Sequence, residues 1–151
     1  MSPTAICEIR RWVSGYSGVV RQLRPGETPV EYVRRLAAEK SAAALEVVAR
    51  PFQGRERGAE SPALRDVIIL GADTTVVVDG DVLGKPQDDE EAAAMLRRLS
   101  GRAHEVLTGI SLRDSASEVG KVETTSVSFR ALSDGDVASY VSSGEGLQRP
   151  G

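Results

Sequence analysis

Three polar side chains stand in apolar surroundings in this sequence and could act together on an anionic substrate. Asp73 lies inside the apolar run 67–78, where an ionised carboxylate is costly unless a cation or hydrogen-bond donors compensate it. Lys40 falls on the apolar stripe of a predicted helix, and Lys85 follows a predicted hairpin strand. Two ammonium groups would neutralise phosphate oxygens, while the carboxylate would activate water or hold a divalent metal. The set suits chemistry on a polyphosphate.

Each of these residues also has a purely structural interpretation. A buried aspartate often caps a turn, a lysine on an apolar stripe often extends its ammonium group to water, and a strand lysine often protects a sheet edge. His104, the single histidine, is given no catalytic role because a lone strand histidine is more often packed or exposed. The arginine pairs 34–35 and 97–98 are interpreted as solvated charges. A P-loop pattern is absent, which argues against a Walker-type NTPase.

The elements that position these residues can be predicted from local patterns. Thr28, Pro29 and Glu31 mark the start of a helix over residues 29–49, with Lys40 inside its apolar stripe. The run 67–78 is a strand that turns at Asp79-Gly80, a type I′ signal, and returns through residues 82–85, which places Asp73 and Lys85 on adjoining strands. The patterns that follow predict a helix from Asp88 to Gly101, strands at about 103–113 and 121–132 joined by a turn near 114–120, and a short helix from Ser133 to Gly144.

These elements predict a single domain of the α/β class over residues 1–151. Its sheet should be mixed and partly antiparallel, flanked by helices, because hairpins force antiparallel neighbours. Residues 50–65 are interpreted as a loop too short to divide domains.

Composition limits the compartment and the partners. The 151 residues are 40% hydrophobic with a net charge of −3, so neither nucleic acid nor a membrane is an expected partner. One cysteine and one histidine make a closed Cys/His zinc site improbable, and no signal peptide or membrane span is visible. We therefore expect a cytoplasmic protein that acts on a small molecule.

Several motifs in order along the chain resemble the Maf family of nucleoside triphosphate pyrophosphatases. The resemblance covers about residues 25–146 and includes the segments Pro25-Gly26-Glu27, Glu31-Tyr32-Val33-Arg34-Arg35-Leu36-Ala37, Glu39-Lys40, Gly71-Ala72-Asp73-Thr74, Gly84-Lys85-Pro86, Leu99-Ser100-Gly101, His104-Glu105-Val106, Thr108-Gly109 and Tyr140-Val141 with Gly144-Glu145. An ordered set at compatible spacing is far more specific than any one of these motifs.

The resemblance implies an elongated Maf/ITPase-like fold with a central cleft and a hydrolase that acts on acid anhydrides. It implies cleavage of dTTP or UTP between the α- and β-phosphates, with Mg²⁺ or Mn²⁺ as cofactor. By position, Asp73 matches the proton acceptor and a metal ligand, and Lys40 and Lys85 match phosphate-facing lysines. Thr74 matches a specificity position of the dTTP/UTP branch.

The two ends of the chain depart from the family pattern. Residues 1–24 lack the Ser-x-Ser-Pro-Arg-Arg loop and an acidic residue expected shortly before Pro25, and residues 147–151 lack the Lys-Ala-Gly segment. These departures suggest a truncated or frameshifted product with an incomplete metal site. The alternative function is therefore a catalytically impaired remnant that serves as a nucleotide-binding or interaction module. A missing N-terminal strand would expose a sheet edge, which predicts aggregation or a homodimer.

Overall fold

The computed structural model describes residues 22–49 and 67–144 of the chain. These residues form three helices and four strands. In chain order the elements are α1 (Pro29–Ala49), β1 (Ile69–Val78), β2 (Asp81–Leu83), α2 (Asp89–Leu99), β3 (Ala103–Arg113), β4 (Glu118–Ser128) and α3 (Asp134–Ser143). The predicted loop 50–65 lies outside the described residues. Residues 1–21, which include the single cysteine Cys7, also lie outside them. The α/β class that the sequence predicts is confirmed.

The four strands form one open sheet in the order β2-β1-β3-β4. All three pairings between the described strands are antiparallel, so the parallel part of the expected mixed sheet does not occur among them. The reason lies in the connections. After the β1–β2 hairpin, α2 connects β2 to β3 on the other side of β1. Strand β3 therefore has the same direction as β2 and is antiparallel to β1. A short turn over residues 114–117 then reverses the chain again into β4.

Helix α1 lies across one face of this sheet and supplies its core. Val33 of the helix packs with Val77 and Leu107 from the two central strands, and all three are buried. Two glycines let the helix backbone approach closely. A Cβ atom on Gly71 would lie 2.2 Å from the Ala37 carbonyl oxygen, and one on Gly109 would lie 2.5 Å from that of Val33. The helix therefore rests directly on the sheet backbone.

The local signals that bound the elements act as the sequence predicts. Asp79 and Gly80 both adopt positive φ angles, 55° and 83°, as a type I′ turn requires. Asp88 accepts a hydrogen bond from the Glu91 amide and begins α2. Ser133 forms a capping box with Asp136 at the start of α3.

Strand β4 occupies different residues from the predicted 121–132. It begins at Glu118, because the Asp114 carboxylate accepts hydrogen bonds from the amides of Ala116 and Ser117 and closes a shorter turn than expected. It ends at Ser128, because the chain then leaves the sheet for the end of α2, where the Leu132 amide donates to Ser100 Oγ.

The other face of the sheet is covered at one end, where Val78 and His104 are buried, and open at the other. Large apolar side chains are exposed on it, including Leu70, Leu112 and Val119, which occupy one row across three neighbouring strands. Within residues 22–49 and 67–144, every helix is too short or too polar to cross a membrane.

Candidate active site

Lys40 and Asp73 form the ion pair at the centre of the candidate site. The Lys40 ammonium group donates hydrogen bonds to the Asp73 carboxylate and, at 2.9 Å, to the Ala72 carbonyl oxygen. The Asp73 side chain is 11% exposed and that of Lys40 is 25% exposed, so solvent still reaches the pair. A carboxylate that solvent reaches can accept a proton once the cation against it moves away, and a lysine at the surface of such a site can bind an anion.

The alternation of strand β1 aims Asp73 at the helix. Successive side chains of a strand point to opposite faces, and Gly71, Asp73 and Thr75 share the face that α1 covers. Asp73 lies opposite Gly109 in the register of β1 and β3, where the backbone of α1 at Val33 occupies the space that a side chain would need. Lys40 belongs to the sheet-facing side of α1, as its place on the apolar stripe predicts.

A hydrogen-bonded network beside the ion pair holds α1 to β3 and β4. Ser41 follows Lys40 in the helix, and its hydroxyl oxygen lies 2.8 Å from that of Ser111. Both serines are fully buried. The Ser111 hydroxyl donates to Glu118, and Arg34 donates to the same carboxylate at 2.8 Å. The Arg34 contact, with help from Ser111, lowers the pKa of Glu118. The network stabilises the turn of helix that carries Lys40.

A second charged cluster fixes the segment that leads into α1. Arg35 donates to both carboxylate oxygens of Glu27, at 2.6 and 2.8 Å, and also to Glu39. The Arg35 side chain is 13% exposed and that of Glu27 is 9% exposed. The hydrogen bond from Arg35 lowers the pKa of Glu27 to about 2, and the same contact raises the pKa of Arg35.

The prediction that Arg34 and Arg35 are solvated charges is therefore wrong. Both belong to α1 and bind carboxylates that lie outside it, on β4 and in the segment before the helix. The i, i+4 spacing of Arg35 and Glu39 was a visible signal of one contact. The partner of Arg34 depends on tertiary packing that no local pattern shows.

The structure places Thr74 on the face of the sheet away from the ion pair, and it places Lys85 outside the strands. Thr74 points to the opposite face of the sheet from Asp73, where its hydroxyl lies 3.1 Å from that of Thr108. Lys85 is exposed and lies two residues beyond the end of β2, rather than on a strand beside Asp73 as expected.

Asp73 and Thr74 lie where one edge of strand β1 is open. Strand β2 pairs only with Val76, Val77 and Val78, so in the described part of the chain the edge of β1 over residues 69–75 has no strand beside it. Asp73 is reached from one face of this open edge and Thr74 from the other. Lys85 lies two residues after β2, the strand that ends before it reaches this open edge.

The remaining candidate ligands do not form a metal cluster. Among residues 22–49 and 67–144, no group of three or more His, Cys, Asp or Glu side chains is placed to hold a metal ion. His104 is buried and stacks edge-on against Phe129, with ring centroids 4.9 Å apart. It takes no part in the site.

Comparison with known proteins agrees with the motifs. The family profile described as "Maf-like protein" matches residues 8–151, a longer range than the motifs themselves cover. The "dTTP/UTP pyrophosphatase" of Escherichia coli O157:H7 is 42% identical over 135 residues, and that of Escherichia coli strain K12 is 41% identical over the same length. The "Nucleoside triphosphate pyrophosphatase" of Shigella flexneri is also 41% identical.

Each of these alignments covers 89% of this chain but only 61% of the relative. The chain thus spans about three fifths of the length of the proteins it matches. The matched portion includes the helix that carries Lys40 and the strand that carries Asp73. On the extent of the profile match, this chain belongs to the Maf family.

Proposed function

We propose that this chain hydrolyses a nucleoside triphosphate, dTTP or UTP, to the monophosphate and pyrophosphate. The observation that carries the proposal is the Lys40–Asp73 pair on the open edge of β1 in a Maf-family chain. The names of its relatives, "dTTP/UTP pyrophosphatase" and "Nucleoside triphosphate pyrophosphatase", support the same reaction and substrate class.

In this proposal Asp73 is the proton acceptor for the attacking water. Its carboxylate is bonded to Lys40 before substrate arrives. A triphosphate is a stronger competitor for an ammonium group because it carries several negative oxygens. Binding would draw Lys40 toward the phosphates and release the carboxylate to accept a proton from water. General-base catalysis of this kind contributes roughly 10²–10⁴-fold to a rate.

Lys85 and Thr74 take the remaining roles. Lys85 follows β2, which pairs with β1 immediately beyond the open edge. There the ammonium group of Lys85 would neutralise a second part of the triphosphate. Thr74, on the opposite face with Thr108, would contact the base of a nucleotide that lies across the edge.

We propose Mg²⁺ or Mn²⁺ as the cofactor. Mg²⁺ in such sites is held by one or two carboxylates together with phosphate oxygens, and Asp73 supplies one carboxylate near the proposed phosphate site. Among the described residues Asp73 would hold such an ion, with phosphate oxygens of the substrate as further ligands. When bound, the ion would offset negative charge on the phosphates.

We also propose that the chain acts in the cytoplasm on free nucleotides. Its net charge of −3 gives no attraction for nucleic acid. A homodimer, the assembly expected from an exposed sheet edge, belongs to the same proposal.

The test is the rate of pyrophosphate release from dTTP and UTP with Mg²⁺ or Mn²⁺. The parent chain is compared with Asp73→Asn, Lys40→Met and Lys85→Met. Asp134→Asn is the matched control, because Asp134 is 96% exposed at the start of α3 and plays no part in the site. We expect kcat to fall roughly 10²–10⁴-fold in Asp73→Asn and KM to rise in the lysine variants.

The control should keep the parent rate. If a folded parent chain turns over neither nucleotide but binds dTTP, the alternative of a nucleotide-binding module replaces this proposal. If Asp73→Asn keeps the parent rate, Asp73 is not the proton acceptor.

A further inference from the structure

Strand β4 is the long outer edge of the sheet. It spans Glu118–Ser128, pairs with β3 along its whole length, and has no strand on its other side among the residues that the structure describes. Most of its residues are exposed. The strand contains no proline, and no described strand bonds to its outer backbone groups. The opposite edge of the sheet is formed by the much shorter β2.

The charges on β4 decide how a second copy could pair with it. Lys121 and Glu123 lie on the face away from α1, are 73% and 68% exposed, and form an ion pair of 2.9 Å with each other. In a symmetric antiparallel pair of identical strands, each residue lies opposite a residue of the same face. The two-fold axis therefore passes beside one residue, and neighbouring registers are centred on successive residues. The register centred on Glu123 places Glu123 against the same residue of the partner.

Only one of the neighbouring registers is electrostatically complementary. The register centred on Lys121 opposes two lysines, and like charges directly across strands are destabilising. The register centred on Val122 places Lys121 opposite Glu123 of the partner subunit, and by symmetry places Glu123 opposite Lys121 of the partner subunit. It pairs residues 118–126 of each strand and puts no like charges in opposition.

We propose that two copies of this chain associate through β4 in the register centred on Val122, which makes one continuous eight-stranded antiparallel sheet. The two-fold axis stands perpendicular to the sheet, so both α1 helices lie on the same face. On that face Glu118 lies opposite Ser126 of the partner subunit and keeps its bond to Arg34. The four charges at the centre form a closed ring of alternating sign. This inference names the interface of the homodimer proposed above, and it does not depend on the proposed reaction.

The test is the oligomeric state of the full chain and of charge-reversal variants, measured by sedimentation equilibrium over a range of concentrations. Lys121→Glu and Glu123→Lys each turn both attractive cross-strand pairs into repulsive ones. We expect each variant to raise the dimer dissociation constant at least about tenfold. The double variant, Lys121→Glu with Glu123→Lys, restores opposite charges across the axis and should restore the dimer.

The matched control is Arg97→Glu, which makes the same change in net charge as Lys121→Glu at an exposed position of α2. It should remain dimeric, and circular dichroism of every variant should show the parent content of helix and strand. A monomeric parent would overturn the proposal, as would a dimer that both single reversals leave intact. Failure of the double variant to restore the dimer would overturn the register.

Discussion

Replacing Gly71 by alanine tests the contact that sets the height of α1 above the sheet. A Cβ atom at this position would lie 2.2 Å from the Ala37 carbonyl oxygen and 2.7 Å from the Ser41 amide nitrogen. Both are backbone atoms of α1, so no side-chain rotation can relieve the clash. The helix must rise by about 1 Å before these contacts become tolerable.

The cost of that displacement follows from what the helix covers. Overpacking a well-packed interface costs about 1–3 kcal/mol and occasionally more, and backbone contacts on two residues place this substitution at the upper end. For a chain of this length, about 3 kcal/mol lowers Tm by roughly 6–12 °C. The same displacement moves Lys40 away from Asp73, so pyrophosphate release should fall as well.

Thermal unfolding followed by circular dichroism measures the effect, with Gly84→Ala as the matched control. A Cβ atom on Gly84 would have no heavy atom within 4 Å, and this glycine adopts no positive φ angle, so the control should keep the parent Tm. If Gly71→Ala melts at the same temperature as the parent and the control, α1 does not rest on β1 as described.

Three further predictions concern stability. Ser111→Ala removes the hydroxyl that joins Ser41 to Glu118 and should cost about 1–3 kcal/mol in urea unfolding, whereas Ser115→Ala, at an exposed position in the β3–β4 turn, should be nearly neutral. Glu27 has a folded pKa of about 2 against an ordinary value of about 4.3, so its stabilising contribution is complete above the ordinary value and is lost as pH falls toward 2. In Glu27→Gln the free energy of unfolding should therefore fall less steeply over this acid range. An unchanged slope would contradict the Arg35 contact. Asp88→Ala removes the N-cap of α2 and should lower the free energy of unfolding by about 1 kcal/mol, with no change if the cap is unimportant.

The sequence predicts those parts of the fold that local chemistry determines. Thr28, Asp88 and Ser133 begin their helices where capping patterns occur, and Asp79-Gly80 turns the first hairpin. The ends of β4 near residues 118 and 128 differ from the prediction, because a side chain closes one turn early and a contact with α2 ends the strand. Such events depend on neighbours that are distant in sequence or on side-chain bonds that composition does not reveal.

The candidate site was predicted to a similar degree. Lys40 and Asp73 were identified because each is polar where the pattern is apolar, and the structure brings them together. The Asp73-Thr74 motif groups the two residues, but the alternation of β1 turns Thr74 to the opposite face of the sheet. Arg34 could not be assigned from the sequence, because its partner Glu118 is separated from it by 84 residues.

Analysis of the products formed from dTTP tests the central proposal most directly. The full chain is incubated with dTTP and Mg²⁺, and nucleotides, pyrophosphate and orthophosphate are separated and quantified, beside Asp73→Asn. The proposal predicts thymidine monophosphate and pyrophosphate in equal amounts from the parent, with almost none from the variant. A folded parent chain that leaves dTTP intact, or that releases orthophosphate and thymidine diphosphate, would contradict it.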